Sequence, residues 1–218
     1  MESSPPRETL KLIVFGATGG LGQSTWRAAV DAGHEVVAFV RSPGKLDASD
    51  PRHGRLQVVQ GDVMDADAVR AACAGARVAI NCTSPAGGNS TLELAQSVVT
   101  NATAAGVEAV YMVGGLGALW APGTNRSVLL QDWDDADAMG RYGLSAAMPR
   151  EQIRRMTKGH LAAMAFMQDL GVRHCFVCPG MMVEGSPSDR RVVTLDELGG
   201  TAAMRVTYAD VAQVIVDD

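Results

Sequence analysis

Three glycines at equal spacing, Gly16, Gly19 and Gly22, interrupt the stretch KLIVFGATGGLGQST. They follow an apolar run and precede residues able to open a helix. That order of residue types suits the grip of a diphosphate. The first glycine permits a tight turn, the second lets backbone approach the ligand, and the third lets the new helix pack against the strand. The helix N-terminus adds free N–H groups and partial positive charge. No lysine follows in GK[ST] spacing, which argues against a nucleoside-triphosphate loop. The motif therefore points to a dinucleotide.

The next apolar run, HEVVAFV, ends in Arg41, with Lys45 shortly after. A site that prefers NAD(H) places an acid there for the ribose hydroxyls. A cation instead fits a 2′-phosphate, so the expected cofactor is NADP(H) in preference to NAD(H). Two further side chains carry proton chemistry in principle. His160 has an ordinary imidazole pKa near neutrality, although a ribose-binding or core role competes with that of an acid. Tyr142 lies in an irregular segment and reads either as an acid folded over the site or as a surface or interface aromatic. The chain has four cysteines. Two of them form CFVC (Cys175, Cys178), a redox or zinc spacing. That pair sits in a strand-like run, where residues three apart face opposite ways. The reading is of small buried hydrophobes in a reduced compartment, with no metal site.

Positioning these groups requires alternating strands and helices. Apolar runs at 10–16, 34–40, 55–61, 77–83, 108–114 and 172–180 read as strands. Helical patterns occupy 20–32, 62–75, 90–106, 151–171 and 208–218, several of them closed by glycine. A short strand is expected at 192–195. Met156, Met164 and Met167 recur at helical spacing and read as core. Repeated β-α units predict an α/β, Rossmann-type, doubly wound parallel sheet in one domain. Residues 1–9 read as a loose tail and 10–218 as the domain. Residues 121–150 break the rhythm with prolines, four aspartates and Trp133. A long connection of this kind reads as a lid or interface, or else as a solvated acidic loop.

Composition narrows the partners. With 218 residues, 47% hydrophobic and 20% charged, the chain can bury a full core. A net charge of -5 argues against a binder of nucleic acid that relies on bulk positive charge. No apolar run is long enough to span a bilayer and the N-terminus lacks a secretion signal, so a cytoplasmic location is expected.

GATGGLG, FVR and GDV, followed by RVAINCTS, YMVGGLGALW, MTKGHLAAM, VCPGMM and VVTLDE, appear in an order that resembles the atypical short-chain dehydrogenase/reductase proteins. The likeness is to the NAD(P)H-binding group that includes biliverdin reductase B, also a flavin reductase, and the NmrA-like proteins. The resemblance implies a role for each matching position. Gly16, Thr18, Gly19, Gly20, Leu21 and Gly22 would wrap the pyrophosphate. Arg41 and Lys45 would hold the 2′-phosphate, and Asp62 and Val63 would meet the adenine. Cys82, Thr83 and Ser84 would run under the middle of the cofactor. Gly114, Gly115, Pro179, Gly180 and Met181 would border the nicotinamide, and His160 would face its ribose. It also implies a further strand after the last helix.

The departures are chemical. Where the wider superfamily has Tyr-x-x-x-Lys, this chain has Met156 and His160. A serine usual near Gly115 is absent. Ketone reduction needs an acid or oxyanion donor, whereas flavins and quinones delocalise the incoming charge. The expected activity is hydride transfer from NADPH to a flat, electron-poor small molecule: a flavin, a quinone or a conjugated carbonyl. Two alternatives stay open: an NADP(H)-binding sensor without turnover, and an isomerase or other non-redox enzyme on the same fold. Either a monomer or a homodimer fits.

Overall fold

A strand buried on both faces needs apolar side chains at every buried position, and β1 (Lys11–Phe15) supplies them from Leu12 to Phe15. Its odd residues Ile13 and Phe15 enter one hydrophobic cluster, and its even residues Leu12 and Val14 enter another. The same alternation divides β2 (Glu35–Val40), with Val37 and Phe39 on the first face and Val36, Ala38 and Val40 on the second. Each fully buried side chain of this kind contributes about 1.5–3 kcal/mol. The computed structural model describes residues 8–85, 88–115, 118, 149–188 and 205–218.

Four more strands complete the sheet: β3 (Leu56–Gln60), β4 (Val78–Asn81), β5 (Ala109–Val113) and β6 (Arg173–Val177). Their order is β3-β2-β1-β4-β5-β6 and every pairing is parallel. This is the Rossmann order expected from the sequence. The direction of winding reverses between β1 and β4, where Phe15 stands in register with Asn81.

The helices cover both faces. α1 (Gly20–Asp31) packs Leu21, Trp26, Ala29 and Val30 on one face, beside Val211 and Ile215 of the last helix. α2 (Ala66–Ala72), α3 (Thr91–Ala104) and α4 (Arg150–Asp169) cover the other face. α5 (Tyr208–Asp217) returns to lie along α1. α3 opens on a capping box in which Ser90 Oγ accepts from Glu93 N–H and Glu93 accepts from Ser90 N–H. α1 stops where Gly33 takes φ +89°, a conformation open to glycine. No described helix is long and apolar enough to cross a membrane.

Several elements differ from the sequence reading. α2 starts at Ala66 because Asp62 Oδ1 accepts from Met64 N–H at 2.9 Å, forming a turn, and Asp65 then caps the helix. Two short parallel strands, β7 (Met181–Val183) and β8 (Arg205–Thr207), form a separate sheet that no pattern announced. Three residues are too few to show alternation. Met167 is fully buried, but Met156 and Met164 are only half-buried. Cys175 and Cys178 are free thiols, half-buried rather than core. The expected strand at 192–195 and all but the end of the 121–150 segment lie outside the described residues.

Asp210 ties the loop after β7 to α5. Its carboxylate accepts from Ser188 N–H at 2.7 Å, Ser188 Oγ–H at 2.8 Å and Thr207 N–H at 3.1 Å. Burial alone would raise its pKa, but the hydrogen bonds from Ser188 and Thr207 outweigh that and bring it to about 2. A depressed carboxylate stabilises the fold above its unfolded pKa, near 4, and loses that contribution as pH falls towards about 2. Asp210→Asn should therefore cost about 1–2 kcal/mol at pH 7. The gap to wild type in urea unfolding should narrow between pH 4 and the lowest pH at which the protein folds.

Candidate functional site

The reversal between β1 and β4 opens a crevice at the carboxyl ends of the strands, and the chain is built tightly around it. Gly16 takes φ +74°, and a Cβ there would stand 2.8 Å from Cys82 O. The β1 loop therefore lies directly on the chain leaving β4. Gly22 is equally constrained, because a Cβ would come within 2.1 Å of Gly16 O. The loop is closed by Gly19 N–H donating to Gly16 O at 3.0 Å and by Gln23 Nε2 donating to Thr18 O at 3.1 Å.

Gly19 is different. Its backbone, φ −77° and ψ 163°, suits any residue, and an added Cβ would meet only Gly16 O, at an ordinary 3.5 Å. Neither conformation nor packing among the described residues requires glycine here. Gly19 is the N-cap of α1, and no side chain caps that helix. Its first-turn N–H groups lack intrahelical partners by construction. The vacant space beside a bare helix N-terminus fits a diphosphate.

The crevice has a volume of about 190 Å³ and is lined by Gly16, Thr18, Gly19, Phe39, Val40, Arg41, Ser42, Lys45, Gly61, Asp62, Val63, Cys82, Thr83, Ser84, Asn89 and Leu94. It gathers ten of the residues singled out from the sequence. Arg41 and Lys45 are exposed and make no ion pair among the described residues. The segment that follows them is anchored. Asp50 receives Arg27 Nε at 2.6 Å and Arg52 Nη1 at 3.1 Å, and Arg52 Nε reaches Asp31 at 2.8 Å. Burial would raise the Asp50 pKa, but the hydrogen bonds from Arg52 and Arg27 hold it below the usual carboxylate range.

Gly20, Leu21 and Gly22 do not line the crevice. Gly20 faces the Tyr208 ring, Leu21 is core and Gly22 presses on Gly16. A second group gathers further along the sheet. Gly114 donates to Val177 O at 2.9 Å and leaves no room for a Cβ against Phe176. A Cβ on Gly115 would stand 3.2 Å from His160 Cε1, and His160 meets Phe176 edge-on with ring centres 6.5 Å apart. Burial pushes the His160 pKa below its ordinary value. Pro179 is buried and Met181 half-buried in β7. Tyr142 lies outside the described residues.

The sequence reading missed Phe39, Val40, Ser42, Gly61, Asn89 and Leu94 as lining residues. Asn89 and Leu94 had a signal, since the S-x-x-E box marks a helix mouth directly after β4. Phe39 had none, because it reads as core, and its ring fills the space beside Gly61, where a Cβ would lie 2.6 Å away. Cys82 donates its N–H to Phe15 O at 3.0 Å, and burial pushes its thiol up to about 12, so it is no nucleophile. Among the described residues no cluster of three or more His, Cys, Asp or Glu could hold a metal ion.

The two glycines make a contrast that stability measurements check. Gly22→Ala should cost about 3 kcal/mol or more, because rigid backbone must move. Gly19→Ala should leave urea stability unchanged or raise it by about 0.4–1 kcal/mol.

A family model described as NAD(P)H-binding matches residues 16–217. A 3β-hydroxysteroid dehydrogenase/Δ5→4-isomerase of Mycobacterium tuberculosis is 36% identical over 74 residues, which cover 34% of this chain and 19% of that protein. The structure of a proposed epimerase from Bacteroides thetaiotaomicron has a TM-score of 0.71 and 24% identity, over 96% of this chain and 90% of that one. ChuY, an anaerobilin reductase from Escherichia coli O157:H7, has a TM-score of 0.65 and 23% identity, over 95% of this chain and 89% of its own. At these identities the structural likeness is one of fold. The family model covers nearly the whole chain, glycine loop included, and on that ground the protein belongs to the NAD(P)H-binding family.

Proposed function

We propose that this protein is an NADPH-dependent reductase that passes hydride to a flat, electron-poor acceptor such as a flavin, a quinone or a conjugated carbonyl. The observation that carries the cofactor half is Gly19, a glycine that the protein's own packing does not require, at the mouth of an uncapped helix. When bound, the cofactor supplies the hydride. The chain's residues bind and orient it. Backbone N–H groups of α1's first turn, with Thr18 and Gly19, meet the diphosphate. Arg41 and Lys45 meet the 2′-phosphate, and Asp62 and Val63 border the adenine. Cys82, Thr83 and Ser84 underlie the middle, and Gly114, Gly115, His160, Pro179 and Met181 surround the nicotinamide.

Electrostatics favour NADPH over NADH. The RSPGK turn contains no acid to accept ribose hydroxyls. Arg41 breaks no ion pair with a described residue when it takes up a phosphate, so a charge-assisted contact of about 1.5–3 kcal/mol is available. The acceptor follows from what the far end of the site offers. His160, kept neutral at pH 7 by burial, can hydrogen-bond but is a poor proton donor. An acceptor that spreads charge over a ring system and takes its proton from water suits such a site, with ring-on-ring proximity supplying the rate. The same shortage of proton donors among the described residues favours a second reading, a sensor that binds NADP(H) without turnover.

Three measurements test this. Arg41→Asp should weaken NADPH binding by about tenfold to a hundredfold in calorimetry while leaving NADH within about threefold; an unchanged NADPH/NADH ratio would refute the 2′-phosphate assignment. Gly19→Ala, folded and stable, should lose NADPH affinity by more than about tenfold. NADPH oxidation with FMN or a simple quinone should proceed at a rate that is flat from pH 7 to 9, because the imidazole is already neutral there. Tight NADPH binding with no turnover on any acceptor would favour the sensor.

A further inference from the structure

Thr83 stands at the mouth of the crevice, immediately after β4, and its hydroxyl is already committed. Its N–H lies 3.0 Å from Asn81 Oδ1, and its Oγ lies 2.6 Å from the same atom. A backbone N–H can only donate, so the Asn81 atom facing it is the carboxamide oxygen, which can only accept. The Thr83 hydroxyl proton must therefore point at Asn81. Asn81 cannot swing away to release it, since its side chain is fully buried and its amide nitrogen rests on Met112 Sδ at 3.9 Å. Towards any group in the crevice, the Thr83 hydroxyl can therefore only accept.

Strand order says which part of a ligand meets those lone pairs. The crevice runs from the ends of β3 and β2 (Asp62, Arg41), across β1 (Gly16, Gly19), to the end of β4 (Thr83). A dinucleotide with its 2′-phosphate at Arg41 and its diphosphate at Gly19 has its second ribose over β4. Resting on the dinucleotide reading above, we propose that Thr83, locked by Asn81 as an obligate hydrogen-bond acceptor, is a specificity-determining residue that takes a hydrogen bond from a hydroxyl of the nicotinamide ribose. Asn81 is its positioning residue. A carboxylate or phosphate at this position would face oxygen lone pairs and be turned away, which fixes the direction in which the dinucleotide lies.

The test compares two ligands in calorimetry: NADPH, and 2′,5′-ADP, which lacks the nicotinamide ribose. Thr83→Val should weaken NADPH about fivefold to tenfold and leave 2′,5′-ADP within twofold. Thr83→Ser should restore NADPH binding to within twofold of wild type. Asn81→Ala should reproduce the loss for NADPH alone and add nothing in the Thr83→Val background. Unchanged NADPH affinity in Thr83→Val would overturn the proposal. So would an equal loss of both ligands, which would mean a distorted crevice, or a failure of Thr83→Ser to restore binding. If wild type binds 2′,5′-ADP but not NADPH, the assignment of the second ribose fails while the phosphate end stands. If it binds neither, the dinucleotide reading itself fails.

Discussion

The close contact between the chain ends of β1 and β4 is the constraint on which the rest of the molecule depends. Gly16 lies on the carbonyl of Cys82, and Gly22 lies on the carbonyl of Gly16. This stack of backbone on backbone leaves no space for a single methyl group. It draws the first helix onto the sheet, aims its uncapped N-terminus at the switch point, and leaves Gly19 as the one member of the triplet that faces open space. Parallel sheets bury both faces, so the strand ends are where the chain can present polar groups in a fixed array.

Charge around the crevice is arranged by who is paired. Arg27, Arg52, Arg70 and Arg77 are bound to carboxylates, whereas Arg41 and Lys45 make no ion pair among the described residues. The buried Asp50 joins α1 to the segment beyond Lys45 through two arginines. A buried carboxylate held in this way contributes less to net stability than its hydrogen bonds suggest, because desolvation offsets them. Its value is geometric: it gives the loop carrying Arg41 and Lys45 one resting place. Loops that must recognise a phosphate gain from such anchoring, since less order remains to be imposed on binding.

The far end of the site has a different character. Gly114, Gly115, Phe176 and His160 form an apolar corner with one neutral imidazole. The thiols offer no alternative chemistry, because burial raises Cys82 and Cys178 alike to about 12. Such a corner serves to hold flat rings in contact and exclude water. Among the described residues it is ill equipped to protonate an alkoxide, which links the local packing to the kind of acceptor proposed above.

Much of this was legible in the chain. Continuous apolar runs, glycine stops and helix-opening acids marked six strands and five helices. The glycine spacing with Arg41 one strand later marked the crevice, and the family resemblance added Asp62. These signals are local: each depends on the dihedral needs or burial of a few neighbouring residues. Other features had no local mark. β7 and β8 are too short to show a period. Phe39 lines the crevice yet looks like core. The commitment of the Thr83 proton to Asn81 depends on a buried amide whose orientation only the packed sheet decides. The sequence by itself determined which segments become strands and helices and where a dinucleotide loop must fall, because those follow from periodicity and from glycine. The tertiary structure alone decided which of those glycines packing requires and which it leaves free, because that distinction is made by atoms from strands distant in the chain.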